Sequence, residues 1–227
     1  MIAAEIAKTD SRIRVLSVPH GGIVAALNTG LSLCRGRYIA RRDADDLMHR
    51  DRLAAQVQAL DAAPDIAAVG CHVRIFPRQH LHAGRREYEQ WVNSMNSAMS
   101  VQRNAFVECP VAHPALMMRR EVCTAFGYRE MGWPEDYDLV LRLLAAGHQI
   151  RVVPQRLLLW RDAPTRLSRI DPVYAVTRFT QCKAAFLSTG FLAEHSQYIL
   201  CGFGATGKAI RRALAVHDRH PAYIVEL

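Results

Sequence analysis

An α/β fold is predicted by three observations. Short apolar runs rich in β-branched residues alternate with segments of helical periodicity, Gly and Pro punctuate the two, and half of the 227 residues are hydrophobic, enough for one sizeable core. Ile13 to Val18 predicts a short buried strand and Gly21-Gly22 a turn. Ile23, Val24, Leu27, Leu31 and Leu33 then recur at helical spacing until Gly36 ends the helix. Tyr38-Ile39-Ala40 predicts a second strand, Arg50 to Ala62 a helix closed before Pro64, and Ile66 to Gly70 and His72 to Phe76 two more strands.

From Pro77 to about Glu108 the periodicity weakens, with a polar loop and one helix expected over Glu87 to Val101; such excursions build the substrate side of clefts in α/β enzymes. Ala115 to Met118 predicts a strand, Pro134 to Ala146 a helix closed by Gly147, and Gln149 to Val153 a strand. Pro134-Glu135-Asp136 suits a first helical turn, where Pro fits and acids meet the positive end of the dipole. Asp171 and Pro172 open a helix running to Ser188. The stretch 190–197 reads as a linker, so the expected division is 1–189, a linker over 190–197, and a partial β-α-β unit over 198–227.

That last unit has a strand (Tyr198 to Cys201), a glycine-rich turn (Gly202-Phe203-Gly204-Ala205-Thr206-Gly207), a helix (Lys208 to Val216) and a strand (Tyr223 to Val225) followed by Glu226. Order and spacing match the start of a Rossmann-like dinucleotide fold. The same turn nearly fits a P-loop, but Ala209 stands where Ser or Thr must hold magnesium. One β-α-β unit is a fragment of such a fold, so packing is the expected role.

Composition narrows the partners. The formal net charge is +8, yet the basic residues fall in dispersed doublets such as Arg41-Arg42 and Arg85-Arg86, with no basic stripe interleaved with aromatics, so no nucleic acid is expected. The six cysteines lack any Cys-x-x-Cys pair, which argues against a zinc site or a disulfide framework and makes them expected small buried hydrophobes. No apolar run approaches the roughly 20 residues of a membrane span, and the N-terminus lacks the pattern of a signal peptide. The expected place is the cytoplasm, with peripheral association at the inner face of the membrane.

Chemistry concentrates at Asp43-Ala44-Asp45-Asp46, directly after the Tyr38 strand. Carboxylates so close repel one another unless solvated, protonated or bound to a cation, and oxygen-only ligands favour Mg²⁺ or Mn²⁺. An EF-hand is excluded, because Met48 occupies the position that needs Gly.

Taken together, the motifs are more specific than any one of them. Arg12 through Gly21-Gly22 to Asn28-Thr29-Gly30, then Arg35-Gly36-Arg37-Tyr38 and Asp43-Ala44-Asp45-Asp46, then His113-Pro114, Gly127-Tyr128, Glu135-Asp136-Tyr137-Asp138, Trp160-Arg161 and Leu167-Ser168-Arg169 resemble, in collinear order, the inverting family 2 glycosyltransferases of GT-A fold. The resemblance implies a mixed sheet flanked by helices and transfer of a sugar, with inversion, from a nucleotide-diphosphate-sugar donor to a hydroxyl of a glycan or lipid-linked acceptor, in cell-envelope polysaccharide or glycan synthesis. It implies Asp45 with Asp43 as holders of Mg²⁺ or Mn²⁺ on the donor diphosphate, Asp136 as general base beside Glu135, and donor contacts from His113, Arg161, Arg166 and Arg169. Trp133 would stack on an acceptor sugar or cap the core.

Two departures from the family are visible. The resemblance places its first strands ahead of Met1, so the expected domain is truncated at its N-terminus, with exposed sheet edges and an open base pocket. Ala163 stands where many relatives carry a His. The competing functions are therefore a catalytically incompetent fragment that acts, if at all, as a binding or interaction module, and a dinucleotide-binding module sensitive to substitution of Gly204 or Glu226.

Overall fold

The computed structural model of the protein describes residues 2–226. In chain order the elements are α1 (Ile2–Thr9), α2 (Gly22–Ser32), β1 (Tyr38–Ala40), β2 (Leu47–Met48), α3 (Arg52–Asp61), β3 (Ile66–Phe76), α4 (Ala83–Val92), α5 (Ala98–Asn104), β4 (Met117–Arg119), α6 (Arg120–Phe126), α7 (Glu135–Ala145), β5 (Gln149–Arg161), α8 (Leu167–Ile170), α9 (Val176–Thr189), β6 (Gln197–Cys201), α10 (Ala205–Ala215) and β7 (His220–Val225). Five strands form one mixed sheet in the order β1-β4-β3-β5-β2, in which β3 and β5 pair parallel and the other neighbours antiparallel.

Strand alternation sends side chains to two layers. Met118 and Ala68 enter a core with Tyr137, Leu139 and Leu143 of α7, while Met117, Val69 and Ile66 pack with Leu60 of α3 on the other face. A third cluster, holding Val73, Ile75, Leu158 and Trp160, fills the end of the sheet where the long strands outrun β4.

Several expectations are corrected. The strand expected over Ile13 to Val18 is irregular chain, with Ile13, Val15, Leu16 and Val18 exposed. Among the described residues it finds no neighbouring strand, and an extended segment without a ladder partner has little to hold it. The two strands expected over Ile66 to Gly70 and His72 to Phe76 are one strand, β3. Gly70 marks a close approach rather than a break, since a Cβ there would lie 2.5 Å from Val111 Cγ1. β5 continues well past Val153, because the register jumps from Cys71↔Val153 to His72↔Arg156 and the bulge absorbs Pro154.

The single helix expected over Glu87 to Val101 is two helices, α4 and α5. Asn93 stops the first by pairing with the β3 backbone: Val73 N–H donates to Asn93 Oδ1 and Asn93 Nδ2 to Val73 O, each at 2.8 Å. Ser97 and Ser100 start the second with a reciprocal capping box. Ala115 belongs to a short 3₁₀ turn (His113–Ala115) rather than to β4. Cys34 and Cys201 are exposed, unlike the four buried cysteines.

At the C-terminal end, β6 and β7 form a separate two-stranded parallel sheet, and α10 packs on α9. The glycine turn has the expected backbone logic: Gly202 has φ +88°, and a Cβ on Gly207 would lie 2.1 Å from Gly202 O, so helix and turn touch through glycine alone.

Candidate active site

The acidic turn spans the gap between β1 and β2, and β2 pairs with β5, so the end of β5 is brought against the carboxylates. Arg161 makes the junction: its backbone N–H donates to Asp46 Oδ1 at 2.8 Å and its Nε to the Asp45 carbonyl at 2.9 Å. Asp46 is buried, and burial pushes its pKa up to about 6 against the Arg161 hydrogen bond that favours its charge. Asp43 is ion-paired with Arg41, whereas the Asp45 side chain is exposed. The three acids thus divide into a buried structural residue and two that face the opening.

Arg41 is held from behind by Arg52, which is fully buried in α3. Arg52 Nη2 donates to the Arg41 carbonyl and Nε to Gln56 Oε1, each at 2.9 Å, and Gln56 Nε2 donates in turn to the Val69 and Ala115 carbonyls. A buried polar network of this kind fixes the exit of β1 relative to β3 and to the 3₁₀ turn carrying His113.

The opposite wall is the first turn of α7. No side chain caps this helix, and Glu135, Asp136 and Asp138 crowd its N-terminus, where the dipole and free N–H groups favour acids. Asp138 is fully buried. Burial raises its proton affinity, but hydrogen bonds from Arg129, Arg142 and Trp133 outweigh this and hold its pKa below the ordinary range. Arg142 also binds the Phe126 and Gly127 carbonyls, anchoring the loop that leads into the helix.

Glu135 accepts a 2.6 Å hydrogen bond from the Tyr174 hydroxyl and lies 3.7 Å from His113 Nδ1. Burial, reinforced by Arg41, drives the His113 pKa well below its usual value, so the ring is neutral. His113 Nε2 and the Tyr128 hydroxyl are 2.9 Å apart and share a hydrogen bond whose direction follows the ring tautomer. Asp136 accepts from the Tyr137 backbone N–H at 2.8 Å. Burial, with the Glu135 charge second, pushes its pKa up to about 7.

These walls enclose one cavity of about 240 Å³. Asp43, Asp45, His113, Glu135, Asp136 and Arg161 all line it, with Arg166 at its edge. Arg169 does not line it; its guanidinium is bound to Asp162 at 2.7 Å. Trp133 is also away from it, donating to Asp138 at 3.1 Å and packing on the core. Sequence reasoning missed Arg41, which adjoins the acidic turn as a cation might, and Tyr174, for which no local signal exists.

Among the described residues no three His, Cys, Asp or Glu side chains converge as a metal set. Asp43 and Asp45 offer two hard carboxylates on one wall. Oxygen-only donors of this kind would suit Mg²⁺ or Mn²⁺.

A mixed sheet flanked by helices, with a strand-end acidic turn facing a second acid pair, defines a GT-A-type fold. The fold of residues 1–349 of S. aureus TarS, solved in complex with UDP-GlcNAc, is similar: TM-score 0.61 at 12% identity, covering 94% of this chain and 59% of that one. So is that of PcManGT, a mannosyltransferase from Pyrobaculum calidifontis solved with GDP-Man and Mn²⁺: TM-score 0.51 at 19% identity, covering 94% and 55%. In sequence, the chain is 26% identical over 175 residues to the amylovoran biosynthesis glycosyltransferase AmsE of Erwinia amylovora, covering 75% of this chain and 63% of AmsE. Residues 1–126 match the family described as Glycosyl transferase family 2, and the chain belongs to that family. It spans less than two thirds of the length of each of these three proteins.

Proposed function

We propose that this protein transfers a sugar from a nucleotide-diphosphate-sugar donor to an acceptor hydroxyl with inversion, in polysaccharide synthesis. One observation carries this reading: Asp136, whose proton affinity is raised to about 7, shares a single cavity with the Asp43 and Asp45 carboxylates. A base of that strength is matched to a hydroxyl proton at neutral pH. Inversion follows if Asp136 takes that proton while the hydroxyl attacks the anomeric carbon from the face opposite the departing diphosphate.

Asp45 and Asp43 would hold Mg²⁺ or Mn²⁺, which supplies charge stabilisation to the leaving diphosphate. Arg161 and Arg166 meet the same growing charge. Glu135, tied to Tyr174, orients the first turn of α7 so that Asp136 is the free carboxylate. Neutral His113 contributes a hydrogen-bonding wall without adding cationic charge. AmsE, named for amylovoran biosynthesis, supports polysaccharide synthesis as the setting, and the acceptor in this reading is a glycan or lipid-linked hydroxyl. The place in this reading is peripheral, at the inner face of the membrane; no helix among the described residues is long and apolar enough to cross a membrane. We assign 1–189 to the transferase unit and 198–227 to a separate packing unit.

The test is calorimetric titration with UDP-, GDP- and dTDP-sugars, with and without Mn²⁺, beside Asp45→Ala. Metal-dependent binding that the variant loses is the expected result. A folded chain that binds none of the donors would leave a non-catalytic binding module as the surviving reading.

A further inference from the structure

One buried carboxylate beside the cavity, Asp162, has no part in the mechanism above, although it neighbours Arg166, which has. Asp162 follows Arg161, and its backbone N–H donates to the Phe76 carbonyl at 2.7 Å, so the β3–β5 pairing fixes where its side chain starts. That side chain is only 5% exposed, and three guanidiniums surround it. Arg169 Nη2 donates to Oδ2 at 2.7 Å, while Arg85 Nε and Arg166 Nη1 stand 3.6 and 3.7 Å from Oδ1.

Arg85 comes from α4, far away in sequence. Its guanidinium lies 5.0 Å from the Trp160 ring centroid, and that of Arg166 lies 4.6 Å from the same ring. Two cations share one indole, and Asp162 Oδ1 and Arg85 Nε and Nη2 have no hydrogen-bond partner among the described residues. As a stability device this is poor, because three cations, two of them partly buried, against one buried carboxylate leave surplus charge. Of the three, Arg166 alone lines the cavity.

We propose that Asp162 is a positioning residue: seated with Arg85 against Trp160, it holds the Arg166 guanidinium at the cavity edge, ready for the donor diphosphate. The proposal rests on the reading of the cavity as a donor site. An Arg side chain loses rotamer freedom when it binds an anion, and part of that cost is removed when the guanidinium is placed before the anion arrives. The bland alternative is that Asp162 screens the arginines. The two roles have opposite signs. Removing a screening carboxylate leaves more positive charge and tightens anion binding, whereas removing a positioning carboxylate loosens it.

The experiment is titration of the full chain with inorganic pyrophosphate in Mg²⁺, for the unmutated protein, Asp162→Asn, Arg85→Met, Arg166→Ala and the Asp162→Asn/Arg166→Ala pair. Asp162→Asn and Arg85→Met should each weaken binding about three- to tenfold, in the range of a partly buried charged contact. The pair should bind no more weakly than Arg166→Ala alone, since Asp162 acts through Arg166. Unchanged or tighter binding by folded Asp162→Asn overturns the proposal and leaves the donor-site reading standing. If Asp162→Asn does not fold, the Arg85→Met/Arg166→Ala pair decides: a loss no greater than that of Arg166→Ala alone supports positioning through Arg166, and a further loss overturns it. Absence of pyrophosphate binding by the unmutated chain would sink the donor-site reading itself, and this role with it.

Discussion

The Arg161 backbone N–H donates to Asp46 Oδ1 across 115 residues of sequence. This bond joins the acidic turn to the last residue of β5 and turns Asp46 inward, leaving Asp43 and Asp45 at the cavity. Asp46→Ala leaves a buried N–H unpaired and is expected to cost about 1–3 kcal/mol. Asp46→Asn keeps an acceptor while removing a charge that burial disfavours, and is expected to equal or exceed the unmutated protein in stability at pH 7. Urea unfolding of the two variants checks the contrast.

Asp136 gives stability a pH dependence of definite sign. Its pKa is raised to about 7 when folded, against roughly 3.9 for an unperturbed Asp, so between these values the folded state binds more protons than the unfolded one. Its contribution is favourable on the acid side and is lost as pH rises from about 4 through 7. Melting temperatures of the unmutated protein and Asp136→Asn across pH 4 to 8 should show a steeper fall in the unmutated protein.

Under the proposed function the same titration would govern turnover. A base acts only when ionised, so sugar transfer should rise as pH increases through about 7, and Asp136→Asn should abolish transfer while retaining donor binding. Equal losses of binding and transfer in that variant would move Asp136 from base to structural residue.

Arg52 is the buried anchor of the cavity wall that carries the acidic turn. Arg52→Met removes the donors to the Arg41 carbonyl and Gln56 Oε1, leaving two buried acceptors unpaired, for an expected loss of about 2–5 kcal/mol. The same variant should weaken donor binding, because Arg41 adjoins Asp43. Unfolding and donor titration on one preparation separate the two effects.

Gly70→Ala tests the packing of β3. The new methyl would lie 2.5 Å from Val111 Cγ1, so strand or loop must shift, at about 1–3 kcal/mol. At Gly207 the obstacle is the Gly202 carbonyl, a backbone atom with less freedom, so Gly207→Ala should loosen the turn between β6 and α10. Faster amide exchange over 197–215 in that variant, with 66–76 unaffected, is the expected pattern.

By itself the sequence determined the alternation of strands and helices, the acidic turn after β1, and the acids at the start of α7, because each is written in local periodicity or in a helix-terminus preference. Gly147, with φ +81°, ends α7 as its position predicts. Strand pairing was not legible. Ile13 to Val18 has the composition of a strand, but only a neighbour makes one, and the bulge that carries β5 past Pro154 depends on β3. Nor could local pattern say that Asn93 would leave its helix to bond the Val73 backbone. The tertiary structure alone decided which carboxylates face the cavity, that Arg169 is spent on Asp162, and that Tyr174 reaches Glu135 from 39 residues away, since these contacts are set by which buried polar groups must find partners once the layers have packed.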